Sequence, residues 1–197
     1  MQINPLQALE RLKEGNKRFT EGKTLSRDFL KQVKETSGGQ SPYATVLSCM
    51  DSRTPSEIIF DQGLGDIFNI RIAGNITDDD VIGSMEFGSR VVGTKLLLVM
   101  GHTDCGAVKG AIDDVKLGKL TGLLGKIKPA IDAVVTDRER KSSNKVFVKM
   151  VTRENVFSTI RNIRDASAIL KDMEDKGELK ITGAVYDTST GEVEFFE

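Results

Sequence analysis

A continuous apolar run, Leu96-Leu97-Leu98-Val99-Met100, narrows the folds open to this chain more than any other stretch. A run of this kind belongs to a strand buried on both faces of a parallel sheet. Residues 43–48, with Val46 and Leu47 central, and residues 66–72 read as further strands. Residues 180–186 and 190–196 read as two strands around a turn at residues 187–191. Strands alternating with helices and then a terminal hairpin predict an α/β fold, with a mostly parallel central β-sheet, an antiparallel edge strand and flanking helices.

The helices are read from caps and spacing. Asn4 as cap, Pro5 at the first helical position and Leu6, Leu9, Leu12 and Phe19 at helical spacing predict an amphipathic helix ending near Gly22. A second helix is expected over about 25–35, ending at Gly38-Gly39. These two form an N-terminal helical arm over residues 1–40, and residues 41–197 form the α/β core of a single domain. Thr54-Pro55-Ser56-Glu57 starts a short helix. Thr77 is the expected cap of another, with Asp78, Asp79 and Asp80 as first-turn acids rather than a metal site. Further helices are expected over 106–117, 122–140 and, after a polar break at Lys141-Ser142-Ser143-Asn144, as one long helix over 146–173.

Chemistry concentrates at two strand ends. Cys49-Met50-Asp51-Ser52-Arg53 follows the first strand and His102-Thr103-Asp104-Cys105 follows the Leu96 run; together they hold both cysteines and the single histidine. In open α/β sheets, ligands bind outside the carboxyl ends of the strands, so two strand ends deliver Cys49, His102 and Cys105 to one rim. Two thiolates and an imidazole suit Zn2+ with a fourth position left for water or substrate. Other readings stand beside it. Either cysteine can be a buried small hydrophobe. A closed structural zinc site would need a carboxylate such as Asp51 as its fourth ligand, and a Cys49–Cys105 disulfide needs an oxidising compartment.

Charge and glycine patterns exclude other classes. The formal net charge of -1 comes from 28 basic and 29 acidic side chains, with no basic run of the kind that follows nucleic-acid phosphates. No stretch approaches the ~18 apolar residues of a membrane span, and the N-terminus lacks a cationic segment followed by an apolar one. A soluble, cytoplasmic protein that engages neither nucleic acid nor membrane is expected. Gly63-Leu64-Gly65 precedes a strand and lacks the third glycine of a dinucleotide site. Gly101 to Gly106 has P-loop glycine spacing, but Ala107-Val108 stand where Lys and Ser/Thr are required.

Cys-x-Asp-x-Arg after one strand and His-x-x-Cys-Gly about fifty residues later, after another, resemble the β-class carbonic anhydrase family. Arg71, Ala73 and Asn75 are similar to its Arg-Asn-x-Ala-Asn segment, with Ile72 in place of the first Asn, and Gln40-Ser41-Pro42 resembles its approach to the first strand. The likeness is strong over about residues 40–110. It implies zinc held by Cys49, His102 and Cys105, and reversible hydration of CO2 to bicarbonate and a proton by zinc-bound hydroxide. It also implies a catalytic dyad in which Arg53 holds Asp51 and the carboxylate accepts a hydrogen bond from that hydroxide; in an inactive form the aspartate can instead ligate the metal. Lowering the pKa of a zinc-bound water from about 9 to about 7 is worth about 2.7 kcal/mol. Because two thiolates already neutralise the metal's charge, help from such a dyad is expected.

For the substrate cleft, the resemblance implies Gln40, Phe68 as an aromatic wall, and Phe87 where plant-type members have a tyrosine from the neighbouring subunit. It further implies a homodimer or higher even oligomer. Val46 stands where some members carry the tryptophan of a non-catalytic bicarbonate site, and the chain has no tryptophan. With the one histidine assigned to metal, protons must leave through water, buffer or a carboxylate. The alternatives are hydrolysis of carbonyl sulfide or carbon disulfide on the same scaffold, and a zinc or redox module without turnover.

Overall fold

The computed structural model describes residues 3–196. The N-terminal arm comprises α1 (Pro5–Thr20) and α2 (Phe29–Thr36). The core runs β1 (Ala44–Ser48), α3 (Ser56–Ile59), β2 (Ile67–Arg71), α4 (Asp79–Glu86), β3 (Leu96–His102), α5 (Gly106–Ile112), α6 (Gly118–Gly125), α7 (Lys128–Ala133), α8 (Lys145–Ala166), α9 (Ala168–Asp175), β4 (Lys180–Tyr186) and β5 (Val193–Phe195). The strands form one sheet in the order β2-β1-β3-β4-β5. The first four are mutually parallel and β5 pairs antiparallel with β4, as the strand pattern predicted.

Every residue of β3 is buried, because helices cover both faces of its sheet. On one face Leu98 and Met100 pack with Ala8, Leu9 and Leu12 of α1 and with Phe60; on the other, Leu97 and Val99 pack with Met85, Val156, Ile160 and Ile163. Gly183 lets α8 lie close to β4, since a Cβ there would stand 2.5 Å from a methyl of Val156. The capping box at Asn4 is present, with Gln7 N–H donating to Asn4 Oδ1 and Asn4 N–H to Gln7 Oε1, both at 2.9 Å. Burying Leu9 and Leu12 contributes about 2 kcal/mol each, which anchors α1 to the core. The second arm helix buries no residue.

The helix boundaries depart from expectation at places where tertiary contacts decide. The second arm helix starts at Phe29, not near residue 25, because the preceding segment is drawn out to meet Asp61: Leu25 N–H and Arg27 both bind its carboxylate. Asp78, not Thr77, caps α4 by accepting from Val81 N–H at 3.0 Å, while Thr77 accepts from Asn162. The helix expected over 106–117 stops at Ile112, and Asp114 turns left-handed at φ 51°. Residues 122–140 form parts of two short helices, with Pro129 in the first turn of the second. The long helix expected over 146–173 breaks at Ser167, whose hydroxyl donates to Glu86 at 2.6 Å and accepts from Leu170 N–H at 3.1 Å.

Candidate metal centre

Cys49 leaves the end of β1 and His102 closes β3, two strands in parallel register with Ser48 opposite Met100. Asp104 then takes a left-handed φ of 60°, a conformation aspartate tolerates, and Cys105 follows as the residue capping α5. The three predicted ligands are thus brought together from one rim of the sheet, all buried, with their ligand atoms within 4.8 Å of one another. The sulfurs are 3.9 Å apart, far beyond the ~2.05 Å of a disulfide, and both cysteines are free. Two sulfurs placed tetrahedrally at about 2.3 Å from a zinc ion stand about 3.8 Å apart, so the spacing fits the metal.

His102 gives an independent test of that fit. Its Nδ1 lies 2.9 Å from the carbonyl oxygen of Thr103, a contact that needs the proton on Nδ1 and leaves Nε2 with a bare lone pair. The residue is 1% exposed, and Nε2 has no hydrogen-bond partner. An unpaired buried polar atom costs about 1–3 kcal/mol, and a metal ion removes that cost. The sulfurs point the same way. Cys49 is pushed down by the Cys105 thiol, by His102 and by the Gly74 N–H, which lies 3.4 Å from Sγ. Cys105 is pushed up, first by its contact with Cys49 and then by burial. Two adjacent sulfurs that cannot both ionise alone are suited to sharing a divalent cation.

Asp51 stands beside this cluster, held by Arg53 through two side-chain bonds (Nε to Oδ1 at 2.9 Å, Nη2 to Oδ2 at 2.8 Å) and by the Arg53 N–H at 2.9 Å. The Arg53 guanidinium holds its carboxyl well below the usual carboxylate range. Its Oδ2 lies 3.8 Å from His102 Nε2, too far for a hydrogen bond and close enough to address whatever sits there.

The sequence singled out Arg71 without a role and Thr54 only as part of a helix start, and both support this site. Arg71 donates to the carbonyls of Cys49 at 3.2 Å and Asp51 at 2.5 Å, and the buried Thr54 hydroxyl donates to the same two at 3.0 and 2.9 Å. Position close to the Cys-x-Asp-x-Arg motif was the only available signal for Thr54. The cleft residues lie elsewhere: Gln40 is exposed before β1, while Phe68 and Phe87 pack on each other with ring centroids 6.3 Å apart. Phe68 pairs with Thr45, well before the strand ends that carry the ligands, and Phe87 is 53% exposed.

With fold and site in view, known proteins supply the family. A family model described as Carbonic anhydrase matches residues 44–193. The chain is 34% identical over 195 residues to Carbonic anhydrase 2 of Mycobacterium tuberculosis, covering 95% of this chain and 91% of that one. Its fold matches the beta-carbonic anhydrase of Coccomyxa, solved in complex with acetazolamide, with a TM-score of 0.73 and 26% identity over 83% of this chain and 75% of that one. A beta-carbonic anhydrase of Sordaria macrospora, described as tetrameric, gives a TM-score of 0.72 at 24% identity over 83% of this chain and 84% of its own. This chain belongs to the β-class carbonic anhydrase family.

Proposed function

We propose that the chain is a zinc-dependent carbonic anhydrase that interconverts CO2 and bicarbonate, with Cys49, His102 and Cys105 as metal ligands and Asp51 and Arg53 as the catalytic pair. The observation that carries this reading is the bare, buried Nε2 of His102 set among two sulfurs, with Asp51 Oδ2 facing it. When bound, zinc supplies a Lewis acid that acidifies water near neutral pH. The side chains do the rest. An ionised Asp51 can only accept, so its Oδ2 would take a hydrogen bond from the reacting water or hydroxide and orient the lone pair that meets CO2. Arg53 keeps Asp51 ionised and fixes its plane, while Arg71 and Thr54 fix the main chain beneath it.

The same proposal includes a single domain, an even homo-oligomer and a cytoplasmic setting. Packing of α1 in one apolar cluster with β1 and β3 supports the first. Exposed Phe29, Leu30 and Val33 on α2, near exposed Ile58 and Leu64, support the second. Two free thiols suited to metal support the third. No helix among the described residues is long and apolar enough to cross a membrane. Gln40, Phe68 and Phe87 are proposed to line the cleft once a second subunit is present, since Phe87 is exposed within one chain.

The test is stopped-flow CO2 hydration from pH 6.5 to 9 on protein of measured zinc content. Rapid hydration with one zinc per chain is expected. Full zinc without hydration anywhere in that range would overturn the reading and direct assays to carbonyl sulfide and carbon disulfide.

A further inference from the structure

Beyond the metal centre, residues 103–104 form one wall of an open cavity of about 580 Å³, flanked by the first turns of α8 and the turn between β4 and β5. Lys145 and Lys149, four residues apart and therefore on one face of α8, both line it, as does Lys109 of α5. Neither Lys145 nor Lys149 has an ion-pair partner among the described residues. Two carboxylates share the lining: Asp104 pairs with Lys109, and Asp187 accepts from the N–H and hydroxyl of Ser189 at 2.8 and 2.6 Å and feels the charge of Lys149, so three ammonium groups stand against two carboxylates. Thr188 and Ser189 line the opposite wall, the Ser189 hydroxyl spent on Asp187 and the Thr188 hydroxyl bonded to Thr103. Thr152, 2% exposed, lines the cavity too, and its Oγ1 has no hydrogen-bond partner.

An excess of one ammonium group over the carboxylates, with Lys145 and Lys149 outside any ion pair and the unpartnered hydroxyl of Thr152 on the same lining, is chemistry suited to an oxyanion. The cavity also touches the metal centre through one residue. Thr103 Oγ1 accepts from Thr188 N–H at 3.0 Å and bonds the Thr188 hydroxyl at 3.1 Å, while the Thr103 carbonyl takes the Nδ1 proton of His102. Thr103 is therefore a joint between the cavity wall and the histidine that faces the metal position. We propose that this cavity binds a phosphoryl-type oxyanion and that its occupancy is transmitted through Thr103 to His102. The volume exceeds what a bare anion fills and leaves room for the organic part of a phosphate ester.

The experiment titrates zinc-loaded protein with inorganic phosphate and, separately, with glycerol 3-phosphate, at fixed ionic strength. Heat and the nuclear magnetic resonance signal of the His102 Nδ1 proton are followed. Saturable binding at one site per chain is expected, with the His102 signal moving in step. Lys145→Ala and Lys149→Ala, both at exposed positions, should each weaken binding by about tenfold without changing the thermal midpoint. Tighter glycerol 3-phosphate would point to a small phosphorylated organic molecule, and tighter phosphate to the free ion; both support the site. No saturable binding of either probe overturns the proposal. So does binding that both lysine variants leave unchanged, which would put the anion at the metal, and so does a His102 signal that stays fixed at saturation. None of these readouts uses CO2 hydration, so failure here is distinct from failure of the proposed activity.

Discussion

Asp51 and Asp61 are both held by arginines, Asp51 by the fork of Arg53 and Asp61 by Arg18 and Arg27. Their surroundings differ. The Asp61 side chain is 1% exposed, and both oxygens are engaged by the two arginines and by Leu25 N–H. Its acceptors are taken up in tying the arm to the loop after α3. Asp51 is 18% exposed, receives a single arginine, and keeps Oδ2 3.8 Å from the bare nitrogen of His102. A carboxylate clamped from all sides is a fastener; one clamped from a single side is pre-oriented and still able to accept a further hydrogen bond.

The sharpest way to break this comparison is to neutralise each aspartate. For Asp51→Asn, hydration should fall by about a thousandfold, about 4 kcal/mol of transition-state stabilisation. Zinc content should stay at one per chain and the urea midpoint should hardly move, because the pair is partly exposed. Full activity in this variant would remove Asp51 from the proposed mechanism.

For Asp61→Asn the loss should fall on stability instead, by about 3 kcal/mol in urea unfolding, because two arginines and an N–H lose their anion in a buried site. Turnover per folded, zinc-loaded chain should match wild type. Acid sharpens the point. Burial acts to raise the Asp61 carboxyl, but Arg27, Arg18 and the Leu25 N–H outweigh it and hold the carboxyl below its ordinary value. A group whose pKa is lower folded than unfolded contributes stability above the unfolded value, about 3.9, and loses it as pH falls. Wild-type unfolding free energy should therefore drop more steeply than that of Asp61→Asn below about pH 4. Parallel curves would mean that the clamp contributes nothing.

The contrast also explains what was legible in sequence. Cys49, His102 and Cys105 could be placed because they lie at or just past the ends of two strands legible from their apolar residues, and strand ends set the rim. Asp51 and Arg53 came with the motif. Asp61 gave no signal: its partners lie 43 and 34 residues away, and its left-handed backbone is a property of the folded loop. The break at Ser167 was hidden for the same reason, since its hydroxyl bonds Glu86, a residue 81 positions earlier. Local spacing placed the start of α1 at its own cap, Asn4, and that of α8 within one residue, just after the polar break that ends in Asn144. It failed where a distant contact drew the chain out of the helix.

Thr54 offers the smallest and most discriminating change. Its hydroxyl reaches the carbonyls of Cys49 and Asp51, yet both keep other donors, Arg71 Nε on the first and Arg71 Nη2 with Thr54 N–H on the second. Thr54→Val keeps the shape and removes one shared donor, so stability should fall by only about 1 kcal/mol. If Asp51 works through its orientation, the same change should lower turnover by about tenfold, because the main chain beneath the carboxylate is then held by fewer bonds. Zinc affinity and turnover are measured on the same preparation, which separates a loosened ligand at Cys49 from a misaligned acceptor at Asp51. Stability lost with turnover intact would instead make Thr54 a fastener of the Asp61 kind, and the precision attributed to Asp51 would then rest on Arg53 and Arg71 alone.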